Sequence, residues 1–188
     1  KGMVAVSVDY RIEYLHHSTP FDSFEDAKDA ICWLRSHASD YQLDPDKIAV
    51  AGGSAGGHLA AALGTIGSDE AVNYRPNLSV LYYPVVDMVS RGYGFPEIKR
   101  DFEKISPIHH VSEATPSTLI LLGMKDPIVP VETIRSYQDK LLQKGVDCEL
   151  HLFGGAGHPI FLYRKPLTED YYKVRKLTDD FLKREGFL

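Results

Sequence analysis

Short apolar runs alternate along the chain with longer stretches in which apolar residues recur every three or four positions, a pattern that predicts strands interleaved with helices. Near the start, Val4, Val6 and Val8 alternate with Ala5 and Ser7, predicting a strand over residues 4–8 that ends at Asp9-Tyr10-Arg11. Phe24, Ala27, Ile31 and Leu34 then fall at helical spacing, with Asp22 or Ser23 placed to accept bonds from the first free amides. Asp44-Pro45-Asp46 turns the chain into the apolar run Ile48-Ala49-Val50-Ala51, and an alanine-rich helical segment follows. Residues 78–82 and 118–122 are continuous apolar runs bounded by turn residues, the mark of strands covered on both faces. Val131, Ile134, Gln138, Leu141 and Leu142 outline an amphipathic helix between Pro130 and Gly145. Val146, Cys148, Leu150 and Leu152 alternate with Asp147, Glu149 and His151, which predicts a strand with one wet face near a sheet edge. Over residues 168–184, Val174, Leu177 and Phe181 line one face of a last helix. The expected architecture is α/β, a mostly parallel sheet flanked by helices.

Composition narrows what such a domain does. At 188 residues the chain fits one domain spanning 1–188, and 44% hydrophobic with 25% charged residues is ordinary for a globular protein. Residues 87–116 are the least regular stretch, carrying Gly92, Gly94, Pro96 and Pro107, and are expected to be an insertion that shapes a cleft. The net charge of −5, without a Lys/Arg cluster interleaved with aromatics, argues against a nucleic-acid partner. Cys32 and Cys148 fall in a predicted helix and strand, where they read as small buried apolar residues rather than a disulfide or metal pair. No apolar run approaches the length of a membrane span, and the sequence assigns no compartment.

Three segments each place one reactive residue just beyond a predicted strand: Ser54 in Gly52-Gly53-Ser54-Ala55-Gly56, Asp126 in Gly123-Met124-Lys125-Asp126-Pro127, and His158 in Gly155-Ala156-Gly157-His158-Pro159. Parallel sheets bind ligands at the carboxyl ends of their strands. A serine hydroxyl is a weak nucleophile at neutral pH and needs an imidazole base, which in turn needs a carboxylate to hold its tautomer. Asp87 is a competing carboxylate, read as a loop or helix-start residue. His16, His17, His58, His109, His110 and His151 compete with His158, but only His158 combines a small-residue loop with this chain order. His58, one turn past Ser54, reads as a packing or hydrogen-bonding group. A metal held by His16-His17 and His109-His110 is disfavoured, because adjacent histidines point apart and no ligand spacing accompanies them. Tyr82, Tyr83, Tyr171 and Tyr172 read as core and rim residues rather than a substrate platform.

These segments in this order resemble the α/β-hydrolases, specifically the esterase and lipase branch related to hormone-sensitive lipase and to small acetyl- and feruloyl-esterases. The resemblance is carried by Val8-Asp9-Tyr10-Arg11, Asp44-Pro45-Asp46-Lys47-Ile48-Ala49-Val50, Gly53-Ser54-Ala55-Gly56-Gly57-His58-Leu59-Ala60, Tyr83-Pro84-Val85, Gly123-Met124-Lys125-Asp126-Pro127-Ile128-Val129-Pro130 and Gly155-Ala156-Gly157-His158. It implies Ser54 as nucleophile, His158 as base and then acid, Asp126 as its orienting partner, and the Ala55 amide as one oxyanion donor. It implies no cofactor and no metal, and a small-molecule ester as substrate, acetylated or feruloylated carbohydrates among them. In that family a second oxyanion donor comes from a His-Gly-Gly loop after a strand lying between those matching residues 4–8 and 48–51, and this sequence does not contain it. Three arrangements follow: the segment exists outside this sequence, another chain supplies it, or the flanking strands pair directly. The last exposes apolar sheet surface, from which self-association as a homo-oligomer is expected. Two rival functions stand beside the esterase reading, a serine peptidase of the prolyl-oligopeptidase type and a catalytically weak or silent hydrolase fold used for binding or assembly.

Overall fold

The two continuous apolar runs form the middle of the sheet. In the computed structural model, which describes residues 1–67, 74–88, 99–161 and 168–188, the strands β1 (Ala49–Gly53), β2 (Leu78–Tyr82), β3 (Thr118–Gly123) and β4 (Cys148–Phe153) pair in parallel in the order β1-β2-β3-β4. Leu78, Val80, Leu81 and Leu119 to Leu122 are buried, as continuous apolar runs covered by helices on both faces should be. The register sets Gly53 beside Tyr82, Tyr82 beside Leu121, and Leu121 beside His151, so the carboxyl ends of the strands lie side by side. β4 is half-buried along its middle, as its alternation predicts for an edge.

The helices α1 (Glu13–His16), α2 (Pro20–Ser36), α3 (Ala55–Thr65), α4 (Phe102–Ile105), α5 (Val131–Gln143) and α6 (Glu169–Arg184) fill the intervals. Phe24, Ala27 and Ile31 of α2 are buried in the same core as Leu59 and Leu63 of α3, while Ile134, Tyr137 and Leu141 of α5 and Val174 and Phe181 of α6 cover the other strands. Burial of each such side chain is worth about 1.5–3 kcal/mol, enough for packing to override middling helix propensities. The N-terminus of α2 differs from expectation. Thr19 is the cap residue and Asp22 lies in the third helical position, where its carboxylate accepts from the Thr19 amide and hydroxyl, both at 2.7 Å. Cys32 and Cys148 are not joined in a disulfide, and burial pushes the Cys148 thiol up to about 12.

The strand expected over residues 4–8 is not formed. That segment has no strand pairing, and Val4, Val6 and Val8 are 54%, 53% and 41% exposed. The physical reason lies beside it: a cavity of about 670 Å³, lined by Val4, Val6 and Val8 on one side and Ala49, Val50 and Ala51 on the other, separates the segment from β1. Alternation specifies the faces of a strand, but a strand forms only where a partner lies within hydrogen-bond reach. The direct pairing of the flanking strands is therefore not the arrangement adopted. The segment is anchored further on, where Arg11 grips Asp26 (2.7 Å) and its carbonyl accepts from Ser23 Oγ (2.6 Å).

Of the stretch at 87–116, residues 89–98 lie outside the described residues. The rest is tied to the sheet: the Ile108 amide donates to the Val86 carbonyl (3.0 Å) and the Met88 amide to Ser106 Oγ (2.8 Å).

Candidate active site

Ser54 stands between β1 and α3 with φ 55° and ψ −117°, a conformation that L-residues other than glycine rarely adopt. The turn that forces it is made of close approaches. A Cβ on Gly52 would lie 2.2 Å from the Gly56 carbonyl oxygen, and one on Gly57 would meet Pro84 Cα at 3.0 Å. The Ser54 amide donates to the Tyr82 carbonyl (3.0 Å) and the Ser54 carbonyl accepts from the His58 amide (2.9 Å), so both ends of the residue are fixed. The side chain is thereby lifted off the strand at the N-terminus of α3, where helix amides point outward.

Asp126 leaves the end of β3 on a turn in which its Oδ1 accepts from the amides of Ile128 (2.8 Å) and Val129 (2.9 Å). Its side chain is fully buried, and Oδ2 is left for one further partner. That partner is His158, carried by the loop after β4, whose Nδ1 lies 2.7 Å from Oδ2. The loop can come this close because residue 123 is glycine: a Cβ there would stand 2.4 Å from the carbonyl oxygens of both Ala156 and Gly157. With Nδ1–H donating to the carboxylate, Nε2 is free to accept, and Ser54 Oγ lies 2.9 Å from it. Serine, histidine and aspartate thus form one continuous hydrogen-bonded line across the ends of β1, β4 and β3.

The other sequence candidates lie apart from that line. Asp87, its carboxyl raised by burial, faces His109 Nε2 at 3.8 Å. His58 is buried and bonded at Nε2 to the Ile105 carbonyl (2.7 Å), with burial pushing its pKa down, which fits the packing role expected of it. His110 Nε2 bonds the Glu103 carbonyl (2.8 Å), and His151 pairs with Glu149 (3.0 Å). Among the described residues no three His, Cys, Asp or Glu side chains group as metal ligands, and no helix is long and apolar enough to cross a membrane. The cavity beside β1 is not lined by Ser54, Asp126 or His158, although it reaches Gly56.

Sequence reasoning took Tyr82, Tyr83 and Tyr171 as core and rim residues and missed Phe161 and the contact of Tyr83 with His158. The Tyr83 ring stands 4.8 Å from the His158 ring at 65°. Phe161, three residues past His158, is stacked between Tyr82 (5.0 Å) and Tyr171 (5.4 Å). The only signal in the sequence was the position of Tyr82-Tyr83-Pro84 at the end of a buried strand.

Comparison with known proteins places this arrangement. Thermogutta terrifontis esterase 2 in its apo form superposes with a TM-score of 0.89 at 35% identity, over 96% of this chain and 71% of that one. Esterase LipC of Mycobacterium tuberculosis is 32% identical over 171 residues, 75% of this chain, and an acetylxylan esterase of Xylanibacter ruminicola is 26% identical over 190 residues, 90% of this chain. The chain spans 41% and 38% of the lengths of these two relatives. The fold is that of the α/β-hydrolases. A family model matches residues 1–97, from the unpaired N-terminal segment through the serine turn and β2, and on that match the chain belongs to the BD-FAE family.

Proposed function

We propose that the chain is a single α/β-hydrolase domain that acts as a serine-dependent carboxylic-ester hydrolase through an acyl-enzyme. The observation that carries this is the line of 2.9 Å and 2.7 Å contacts from Ser54 Oγ through His158 to the buried Asp126. Ser54 Oγ attacks the acyl carbon while its proton passes to His158 Nε2. Asp126 holds the imidazole in the tautomer that can accept that proton and stabilises the imidazolium. His158 then gives the proton to the departing alcohol, and on the second half of the cycle it takes one from the water that releases the acid. The Ala55 amide, at the open end of α3, supplies one hydrogen bond to the oxyanion. A second donor is worth roughly 100- to 1000-fold in rate. The groove between residues 4–8 and β1 lies where the resemblance puts the strand that leads to it, which supports delivery of that donor by a strand seated there.

Small acyl esters are the substrate class, and the similarity to an acetylxylan esterase supports acylated carbohydrates among them. Residues 87–116, of which 89–98 lie outside the described residues, are proposed as the insertion that shapes the cleft. Exposed Val4, Val6 and Val8 support self-association of the chain through that face. The test is hydrolysis of p-nitrophenyl esters from acetate to longer acyl chains. Ser54→Ala abolishes turnover, a loss of up to about 10⁶-fold where a full triad operates. Turnover that survives the substitution overturns the mechanism.

A further inference from the structure

Tyr83 is the second strained residue of the site. Its φ is 39°, in the left-handed region, although it is bulky and precedes a proline, and both features disfavour that conformation. The strain is held on both sides. The Tyr83 amide donates to the Leu121 carbonyl at 2.7 Å, and Pro84 is wedged against Gly57. Strain that the surroundings over-determine in this way clusters where geometry serves function. The conformation drives the side chain inward, leaving the residue 8% exposed. There the ring fills the space over Gly53, where a Cβ would lie 2.7 Å from the phenol oxygen, and sets itself 4.8 Å from the imidazole of His158. The contact with His158 is one of ring against ring, at an interplanar angle of 65°.

The imidazole needs such a wall. Its outer torsion is a broad one, and of the two bonds that hold the ring, Nδ1 to Asp126 and Nε2 to Ser54, the second is lost once Ser54 is acylated. Resting on the proposed esterase reading, we infer that Tyr83 is a positioning residue, whose ring fixes the plane of His158 so that Nε2 stays aimed at Ser54 Oγ. The preceding residue serves the same geometry by a different route. The Tyr82 carbonyl holds the Ser54 amide, and the Tyr82 ring stacks on Phe161 of the histidine loop and bonds Thr178 of α6 through its hydroxyl (3.0 Å). One dipeptide at the end of β2 thus sets the relation between the serine turn and the histidine loop.

The experiment compares Tyr83→Phe with Tyr83→Leu, which keeps an apolar side chain of about half the heavy atoms and removes the ring. Two readouts are followed: kcat and KM on a p-nitrophenyl ester, and the low-field proton resonance of His158 Nδ1–H. The phenylalanine variant is expected to keep kcat within about twofold and to keep the resonance, whereas the leucine variant loses roughly 10- to 100-fold in kcat with KM little changed, and broadens or shifts the resonance. If the leucine variant does not fold, Tyr83→Met, with a side chain that adapts to the same space, replaces it. A folded leucine or methionine variant with wild-type kcat and an unmoved resonance overturns the inference. So does a phenylalanine variant as impaired as the leucine one, because the hydroxyl would then be the acting group. The resonance needs no turnover. Should the unsubstituted chain hydrolyse no ester, the esterase reading fails while the effect of Tyr83 on His158 is still decided.

Discussion

β3 and β1 are neighbours of neighbours in one parallel sheet, yet they live in different surroundings. Leu119 to Leu122 of β3 are fully buried, with a strand on each side and helices above and below. Among the described residues β1 is paired on one side only, Ala51 is exposed, and the cavity lined by residues 4–8 borders its other side. The three residues of the proposed triad divide along the same line. Asp126 follows β3, and His158 sits in the loop after the half-buried edge strand β4, packed over Gly123 of β3. Ser54 hangs from β1 and is fixed twice, by the Tyr82 carbonyl of β2 and, within its own turn, by the His58 amide. Positions that must be held to fractions of an ångström are thus drawn from the part of the fold whose packing leaves no alternative.

Two glycines break that comparison most sharply. Gly123→Ala drives a methyl group into the carbonyl oxygens of Ala156 and Gly157, so the histidine loop must retreat from Asp126 and Ser54. Ester turnover is expected to fall by about 100-fold or more, as a 1 Å misplacement can cause. Gly56→Ala is the matched control on the β1 side. A Cβ there has open space, and alanine in a first helical turn is favoured over glycine by up to about 1 kcal/mol, so turnover and thermal midpoint hold or rise. Equal losses in the two variants, read by ester kinetics and a melting curve, would erase the distinction between the two sides.

The same division explains how much was legible in the sequence. Residues 118–122 read correctly because a continuous apolar run names its own surroundings: only a strand covered on both faces is stable there. Ser54, Asp126 and His158 were legible because strand ends and small-residue loops mark where a reactive side chain can project, and the structure brings the three into contact. Residues 4–8 were misread for the opposite reason. Their alternation describes two faces of a strand but carries no information about a partner, and pairing is a property of the other chain segment. Thr19 was passed over in favour of Asp22 or Ser23 because all are capping residue types and only the backbone conformation chooses. Tyr83 was read only as a core or rim residue, because its contact with His158 joins segments 75 residues apart, which the sequence does not reveal.

A smaller effect comes from α3, the buried helix that follows β1. His58 is buried, and its pKa is lowered from the usual 6.5, chiefly by desolvation, with its bond to the Ile105 carbonyl opposing. The unfolded chain therefore binds a proton that the folded chain refuses. Below pH about 6.5 the unfolded state takes up more protons, so His58 makes stability fall as the pH drops, while above that value its contribution is flat. Urea midpoints measured at pH 7.5 and pH 5.5 should show this fall in the parent chain and a shallower one in His58→Gln. Identical slopes would mean that His58 is not the group that titrates.

The smallest effect belongs to the open side. Val6 is 53% exposed and lines the cavity beside β1, so Val6→Ser removes apolar surface that is already largely in contact with water. The unfolding free energy should change by no more than about 0.5 kcal/mol, the range of surface substitutions that touch no cap, core or buried pair. Association is the more sensitive readout, because the exposed faces of Val4, Val6 and Val8 lie together on one segment, and each serine there weakens an apolar contact between copies without touching the core. Sedimentation should show the parent chain dissociating at lower concentration than the variant if the face joins copies, which is to say that the substitution shifts the population toward monomer. A variant that loses several kcal/mol of stability instead would place Val6 inside a packed interior, and the contrast between the two sides of β1 would have to be abandoned.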